Sequence, residues 1–317
     1  MAKKVAFMTR HHSTLICEKA RQMLLDAGFE IVSNDTGNIL PFDEQKALIK
    51  DAYAIIAGTE KYPREMLLGC DQLKVVTRFG VGTDNFDLAT MKEMGLEVGV
   101  IANYNAVAEF AMTLILNVMK NQQHYDIAVR EGRWSRYPMF ELTGKTVGIV
   151  GFGRIGRRLA ELLRGFDVKI LAYDPYMNAA AAQERGVTPV DLDTLFAECD
   201  IVSLHLPSTP ETYHLVNEET IAKMKDGAYL INTARGALVD EQALYQALVS
   251  GKLTGAALDV FEQEPVKADN PLFALKNVCL APHVSALTYE TNYNGGIICA
   301  QSIINVANGG KPLFPIW

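Results

Sequence analysis

The chain repeats one pattern from end to end: a short run of consecutive apolar residues, a polar or glycine break, then residues at helical spacing. "KVAFMT", "AYAIIAG", "LKVVTRFG" and "LEVGVI" are such runs in the first third, and "TVGIVG", "VKILAYD", "IVSLHL", "AYLINTA", "GAALDV" and "NVCLAP" follow later. A strand apolar on both faces is buried only if both faces are covered, which requires a parallel sheet with helices on each side. The fold class is therefore α/β, with doubly wound parallel sheets. At 317 residues the chain is too long for one ordinary core and suits two domains. "TLICEKARQMLLDAG" shows helical spacing and ends in Gly28, a suitable C-cap. One uninterrupted helix is expected from about Val107 to about Arg130, and another over "TYETNYNGGIICAQSIINVANGG" despite its internal Gly295-Gly296.

Composition excludes several classes. The hydrophobic share is 49%, the charged share 21% and the net charge −7, which describes a globular protein without a nucleic-acid or anionic-membrane surface. Five scattered cysteines, an odd number without CxxC, indicate neither a disulfide framework nor a zinc knuckle. They read as free thiols of a reducing, cytoplasmic setting. The opening "MAKKVAFMTR" has an apolar run too short for a signal peptide, and no run of about 18 apolar residues occurs. Six dispersed histidines without HExxH predict no metal site.

"TVGIVGFGRIGRRLAELL" sets Gly151, Gly153 and Gly156 between an apolar strand and an amphipathic helix. The first glycine permits a tight turn, the second lets backbone approach a pyrophosphate, and the third lets helix and strand pack closely. The helix N-terminus, with Arg154 and Ile155, then presents N–H groups and a positive dipole end to phosphates. The next strand ends at Asp174, about 20 residues on, where a carboxylate can accept the hydroxyls of an adenosine ribose and would repel a 2′-phosphate. "YMN" after Pro175 supplies no Arg or Lys to neutralise one, so the expected cofactor is NAD.

Later strands end in polar groups. "YLINTARGALVD" presents Thr233 and Arg235, "ALDVFEQEP" presents Asp259 and Glu264, and "APHVSA" presents His283. In an open α/β sheet, ligands sit at the carboxyl ends of strands. A planar Arg fork can hold the carboxylate of a 2-keto acid and polarise its carbonyl. Histidine has a pKa suited to passing a proton to the carbonyl oxygen near neutrality, and a carboxylate on its other nitrogen favours the protonated ring and fixes its orientation. Each residue taken alone also fits a bland role: a surface arginine, a solvated acidic loop, a structural histidine.

Together, "GFGRIG", "YDPY", "HLP", "NTARGALVDEQAL", "ALDVFEQEP" and "APHVSA" resemble the D-isomer-specific 2-hydroxyacid dehydrogenases, in particular the phosphoglycerate-dehydrogenase-like members. The resemblance covers nearly the whole chain. It implies that Arg235 binds substrate, that His283 is the acid/base paired with Glu264, and that Asp259 touches the nicotinamide carboxamide. It implies a Rossmann NAD-binding domain, residues 105–285, inserted into a flavodoxin-like substrate domain, residues 1–104 plus 286–317. It also implies a homodimer through the NAD domain, in whose interface the Arg130–Arg133–Trp134–Arg136 stretch would lie.

In "TRFGVGTDNFD", which resembles the family's substrate-carboxylate loop, Gly80 and Gly82 can turn backbone N–H groups toward an anion as a nest, with Val81 and Gly82 as the contacts. Arg78 either meets a second anionic group such as a phosphate or pairs with Asp84 or Asp87. Asn103 to Val107 can contact the nicotinamide. His205 and Pro207 either neighbour the cofactor or simply end a strand. The chain stops soon after its closing helix, so no serine-binding regulatory domain is expected to follow. "RHH" at Arg10 to His12, and the start of the closing helix, leave the substrate open. The first choice of substrate is 3-phosphoglycerate. The alternatives are a glyoxylate/hydroxypyruvate reductase and, in a different class, a non-enzymatic NAD(H)-sensing scaffold. Formate dehydrogenase, a relative, fits less well because it pairs its histidine with Gln where this chain has Glu264.

Overall fold

A computed structural model describes residues 2–8, 14–101, 104–134 and 136–317, without the side chains of 14–17. Arg10, His11, His12 and Asn103 lie outside the described residues. By internal contacts the chain divides into two units, Met1–Asn103 with Ala286–Trp317, and Tyr104–Ser285.

The first unit alternates β1 (Lys4–Phe7), α1 (Thr14–Asp26), β2 (Glu30–Ser33), α2 (Phe42–Ile49), β3 (Ala52–Ala57), α3 (Arg64–Leu67), β4 (Val75–Arg78), α4 (Leu88–Glu93) and β5 (Glu97–Val100). The strands form one parallel sheet in the order β2-β1-β3-β4-β5, the flavodoxin-like winding. One face buries Ile55, Tyr62, Met66, Met91 and Leu96; the other buries Val5, Phe7, Leu24, Val75 and Ile303. Ile303 belongs to the C-terminal helix Tyr289–Ala307, which packs on α1. Gly295 in that helix is buried, and a Cβ there would meet Ile101 at 3.0 Å and Phe79 at 3.2 Å. Gly295, which weakens the helix locally, thus lets it approach Ile101 and Phe79.

The second unit opens with α5 (Asn105–Lys120) and α6 (Gln122–Arg130). It continues through β6 (Thr146–Val150), α7 (Arg154–Leu163), β7 (Lys169–Tyr173), α8 (Ala179–Gln183), β8 (Val187–Pro189), α9 (Leu192–Glu198), β9 (Ile201–Leu204), α10 (Glu218–Lys223), β10 (Ala228–Asn232), α11 (Glu241–Ser250), β11 (Leu253–Leu258) and β12 (Val278–Leu280). Its seven strands run β12-β11-β10-β9-β6-β7-β8, all parallel, with the order reversing between β6 and β9. This is the Rossmann winding with an added edge strand, and the reversal marks the crevice where ligands bind.

The expected single helix from Val107 to Arg130 is two helices. Asn121 sits in the left-handed region at φ 47° and ends α5, its N–H turned back to the carbonyls of the preceding turn. The Asn117 side chain accepts from Gln123 N at 3.2 Å and starts the next helix. Apolar periodicity runs through the break, which is why the pattern hid it. Asparagine tolerates this conformation because its short polar side chain can bond locally, whereas a β-branched residue cannot adopt it cheaply. Asn121→Val should therefore lower stability by about 1–2 kcal/mol while Asn121→Gly stays near wild type, as read by thermal melting. Equal melting temperatures for the two variants would contradict this.

Candidate active site

The glycine loop follows β6. Gly151 has φ 97°, and a Cβ there would lie 2.6 Å from the His205 carbonyl. A Cβ on Gly156 would lie 2.2 Å from Gly151 O, so the first turn of α7 rests directly on the loop. Gly153 differs: nothing lies within 4 Å of its Cβ position. Two glycines are required by packing, and the third leaves the loop face open at the helix N-terminus. Ile155 packs toward the core beneath α7, and Arg154 lines a cavity of about 270 Å³ with Tyr104, Arg157, Arg158 and Arg185.

Asp174, just beyond β7, faces the same loop. Its Oδ2 accepts from Phe152 N at 2.8 Å and its Oδ1 from Tyr176 N at 2.8 Å. Each carboxylate oxygen retains lone-pair capacity for a diol. Two buried polar atoms nearby in the fold lack partners, Thr233 Oγ1 and His205 Nδ1. The open backbone at Gly153, the ordered carboxylate of Asp174 and these orphaned atoms fit a dinucleotide across the crevice.

His205 donates its backbone N–H to Val150 O at 2.7 Å, which sets its carbonyl against Gly151. Its ring turns inward, Nε2 lying 2.9 Å from Ser203 Oγ, and burial pulls the imidazole down to about 4. Burial thus favours the neutral ring. Pro207 is exposed and its carbonyl accepts from Thr212 Oγ1 at 2.8 Å.

Three further strand ends converge. After β10, Asn232 is fully buried and closes the turn with both ends of its amide, accepting from Ala234 N at 3.0 Å and donating to Arg235 O at 2.8 Å. This presents Arg235, whose Nη1 also donates to Ala234 O at 2.7 Å. Gly236 follows, and a Cβ there would lie 1.9 Å from the Phe261 carbonyl group. The arginine turn is therefore seated on the segment that carries Glu264.

Glu264 Oε1 accepts from Phe261 N at 3.0 Å, and Oε2 lies 2.7 Å from His283 Nδ1. Burial works to raise the Glu264 pKa. The hydrogen bond and charge of His283, the Phe261 N–H and the Arg235 guanidinium outweigh it and leave the carboxyl below its usual range. An ionised carboxylate only accepts, so Nδ1 carries a proton toward it, which leaves Nε2 as the ring nitrogen that Glu264 does not engage.

His283 has φ 56°, a region few residues with a side chain adopt, histidine more often than most. Its N–H donates to Asp259 O at 2.7 Å. The Asp259 carboxylate, with 0% exposure, accepts from Val284 N at 2.8 Å and Ser285 N at 2.9 Å. The position was expected to touch the nicotinamide; the hydrogen bonds observed for its carboxylate go to the backbone that follows His283.

In the other unit, the loop after β4 departs from expectation. Gly80 is not in the left-handed region, so it does not itself supply the left-handed residue of a nest. Arg78 instead folds over its own loop, donating from Nε to Gly82 O at 3.1 Å and from Nη1 to Phe79 O at 2.9 Å. Gly80 makes room for it, since a Cβ there would sit 2.9 Å from the guanidinium. Asp87, one proposed partner of Arg78, caps α4 by accepting from Thr90 N at 2.9 Å and Thr90 Oγ1 at 2.8 Å, bonds that lower its pKa. Val81 is exposed. Among the described residues, no group of three or more His, Cys, Asp or Glu is placed to hold a metal ion.

Residues 112–285 match the family model for the NAD-binding domain of D-isomer specific 2-hydroxyacid dehydrogenases. The chain belongs to this family. It is 40% identical to the glyoxylate reductase of Thermofilum pendens across 98% of this chain and 94% of that one. It is also 40% identical to the D-3-phosphoglycerate dehydrogenase of Archaeoglobus fulgidus, over 80% of this chain but only 49% of that protein. The chain thus spans about half the length of that relative. The crystal structure of the TT0316 protein from Thermus thermophilus superposes with a TM-score of 0.88 at 30% identity, covering 99% of this chain and 100% of that one. Family membership carries NAD as the cofactor of the second unit. The relatives divide between a phosphorylated and an unphosphorylated substrate.

Sequence reasoning did not find the scaffolding roles of Asn232 and Asp259. A polar residue closing a run of buried apolar ones was the available signal, because a buried polar group needs partners. Asp259→Asn should leave one of the two backbone N–H groups without a good acceptor and lower stability by about 1–3 kcal/mol in urea unfolding. Its kcat should fall by more than this loss of folded protein accounts for. Wild-type stability would show that the two N–H bonds are dispensable.

Proposed function

We propose that this protein is an NAD-dependent dehydrogenase that interconverts a small 2-hydroxy acid and its 2-keto acid, with an unphosphorylated acid such as hydroxypyruvate or glyoxylate as substrate. The observation that carries the reading is the 2.7 Å pair of His283 and Glu264 at the same sheet edge as the open glycine loop. Bound NAD supplies and receives the hydride. His283 holds a proton at Nε2 for the carbonyl oxygen in reduction and takes it back in oxidation. Glu264 favours the protonated ring and fixes its plane. Arg235 holds the substrate carboxylate and polarises the carbonyl beside it. Gly151, Gly153 and Gly156 with Arg154 and Ile155 bind the pyrophosphate, Asp174 binds the adenosine ribose, and Thr233, His205 and Pro207 neighbour the cofactor. Val81 and Gly82 contact the substrate, a role taken from the family resemblance.

The preference for an unphosphorylated acid rests on Arg78. Two of its five N–H donors are spent on carbonyls of its own loop, Nε on Gly82 and Nη1 on Phe79, which holds the guanidinium against that loop. The near full-length match to a glyoxylate reductase points the same way. We also propose a cytoplasmic homodimer. Arg130 and Arg133 are paired locally with Asp126 and Glu131, while Trp134 is 82% exposed beside exposed Tyr137, Met139 and Phe140. Aromatic side chains of this kind are favoured interface anchors.

The test is NADH oxidation with 3-phosphohydroxypyruvate, hydroxypyruvate, glyoxylate, pyruvate and a branched 2-keto acid. Hydroxypyruvate or glyoxylate should give the highest kcat/KM, and NADH should be preferred over NADPH by at least about tenfold. His283→Ala should lose about 10²–10⁴-fold in kcat, the span of general acid catalysis. A clear win for the phosphorylated acid would reverse the substrate assignment. Full activity in His283→Ala would remove the acid–base role.

A further inference from the structure

We propose that His214 and Glu262 form a positioning clamp that sets the segment carrying Glu264, and through it the orientation of His283. The inference rests on the acid–base roles proposed above for Glu264 and His283. His214 lies in the turn that follows β9 and has φ 49°. Glycine would adopt this conformation freely, whereas a side chain is held in it at a cost. The turn itself needs no ring: Thr212 Oγ1 bonds Pro207 O at 2.8 Å and accepts from Thr209 N at 2.8 Å, and Asn217 Nδ2 donates to His214 O at 3.0 Å.

The ring is used elsewhere. Nε2 hydrogen-bonds the Glu262 carboxylate, Nδ1 lies 4.0 Å from Asp240 Oδ2, and the Tyr213 ring stacks on the imidazole at 4.0 Å and 14°. The backbone N–H of His214 donates to Ala237 O at 2.9 Å, two residues beyond Arg235. Glu262 is gripped from both sides, since its N–H donates to Glu241 Oε1 at 2.7 Å and Glu241 Oε2 accepts from Asn270 Nδ2 at 2.7 Å. The neighbouring Phe261 N–H then bonds Glu264 Oε1 at 3.0 Å. His214 therefore touches the Arg235 turn through its backbone and the Glu264 segment through its ring. It meets none of the groups assigned to the reaction, so it acts through them. The His214 and Glu262 side chains are 27% and 34% exposed, and a pair this wet contributes little to stability. Its use is geometric: a small displacement of a positioned group costs far more in rate than in folding.

The experiment uses the full chain, NADH and the 2-keto acid turned over fastest in the panel above. His214→Gly removes the ring and also relieves the backbone, and Glu262→Gln removes the carboxylate. Each should lower kcat about tenfold, leave KM for NADH within about twofold and hardly change the melting temperature. The double variant should be no worse than either single one, because both remove the same contact. His214→Gln, which keeps a donor near the Nε2 position, should recover most of the rate. Wild-type kcat in both single variants, losses that multiply in the double variant, or losses that track melting temperature would each overturn the clamp. His283→Ala separates the two claims. Loss there with full rate in His214→Gly sinks the clamp alone, and full rate in His283→Ala sinks the acid–base reading and the clamp with it.

Discussion

The site in the second unit hangs on one buried carboxylate. Asp259 is placed by the parallel register of β10 and β11, which pairs Asn232 with Leu258, and by its own N–H bond to Asn232 O at 2.9 Å. From there its carbonyl and both carboxylate oxygens accept from His283, Val284 and Ser285 in succession. Three consecutive N–H groups aimed at one residue force a turn, and the turn puts His283 in the left-handed region. A buried carboxyl group with fewer partners would be unfavourable, so the bonds that satisfy Asp259 are also the ones that shape the histidine backbone.

Close packing carries this constraint to the arginine turn. Gly236 has backbone of Phe261 where its Cβ would be, so the Arg235 turn and the Glu264 segment cannot move independently. Electrostatics then favours one charge state for the assembled group. The Glu264 pKa is lowered on folding, so its contribution to stability is full above the ordinary carboxylate range and is lost only as pH falls through the lowered value. Near neutrality the carboxylate stays ionised beneath the imidazole, which is the state the proposed proton transfer needs.

Much of this was legible because some residue patterns leave few alternatives. Fully apolar strands demanded covered parallel sheets, and a glycine triplet between strand and helix demanded close backbone approach. Arg235, Glu264 and His283 announced themselves as polar groups ending apolar runs. What stayed hidden was local backbone geometry and the destination of each hydrogen bond. Asn121 breaks a helix whose apolar stripe continues on both sides. Arg78 reads as a ligand for anions, and the pattern does not tell that its Nε and Nη1 also serve carbonyls of its own loop. Asp259 reads as a cofactor contact, and nothing in the sequence pattern tells that its oxygens also hold the N–H groups of Val284 and Ser285. In each case composition and spacing set which groups are near, and only the three-dimensional path of the chain decides which partner wins.

Backbone strain offers a route back from structure to role. Among the described residues that carry side chains, Asn121, Asp167, His214 and His283 have positive φ. Asn121 and Asp167 end helical segments, where short polar residues adopt the left-handed form with little penalty. The two histidines end no helix, and although histidine visits this region more often than most residues, glycine would be easier at both. What they share is a ring nitrogen bonded to a glutamate in one short stretch of sequence, Glu262 for His214 and Glu264 for His283. An unfavourable conformation that recurs with the same chemical partner is best explained by use of the side chain, and strain of this kind gathers at functional sites. At His283 the use is proton transfer in the reaction proposed above; at His214 it is holding the segment that makes the transfer geometrically possible.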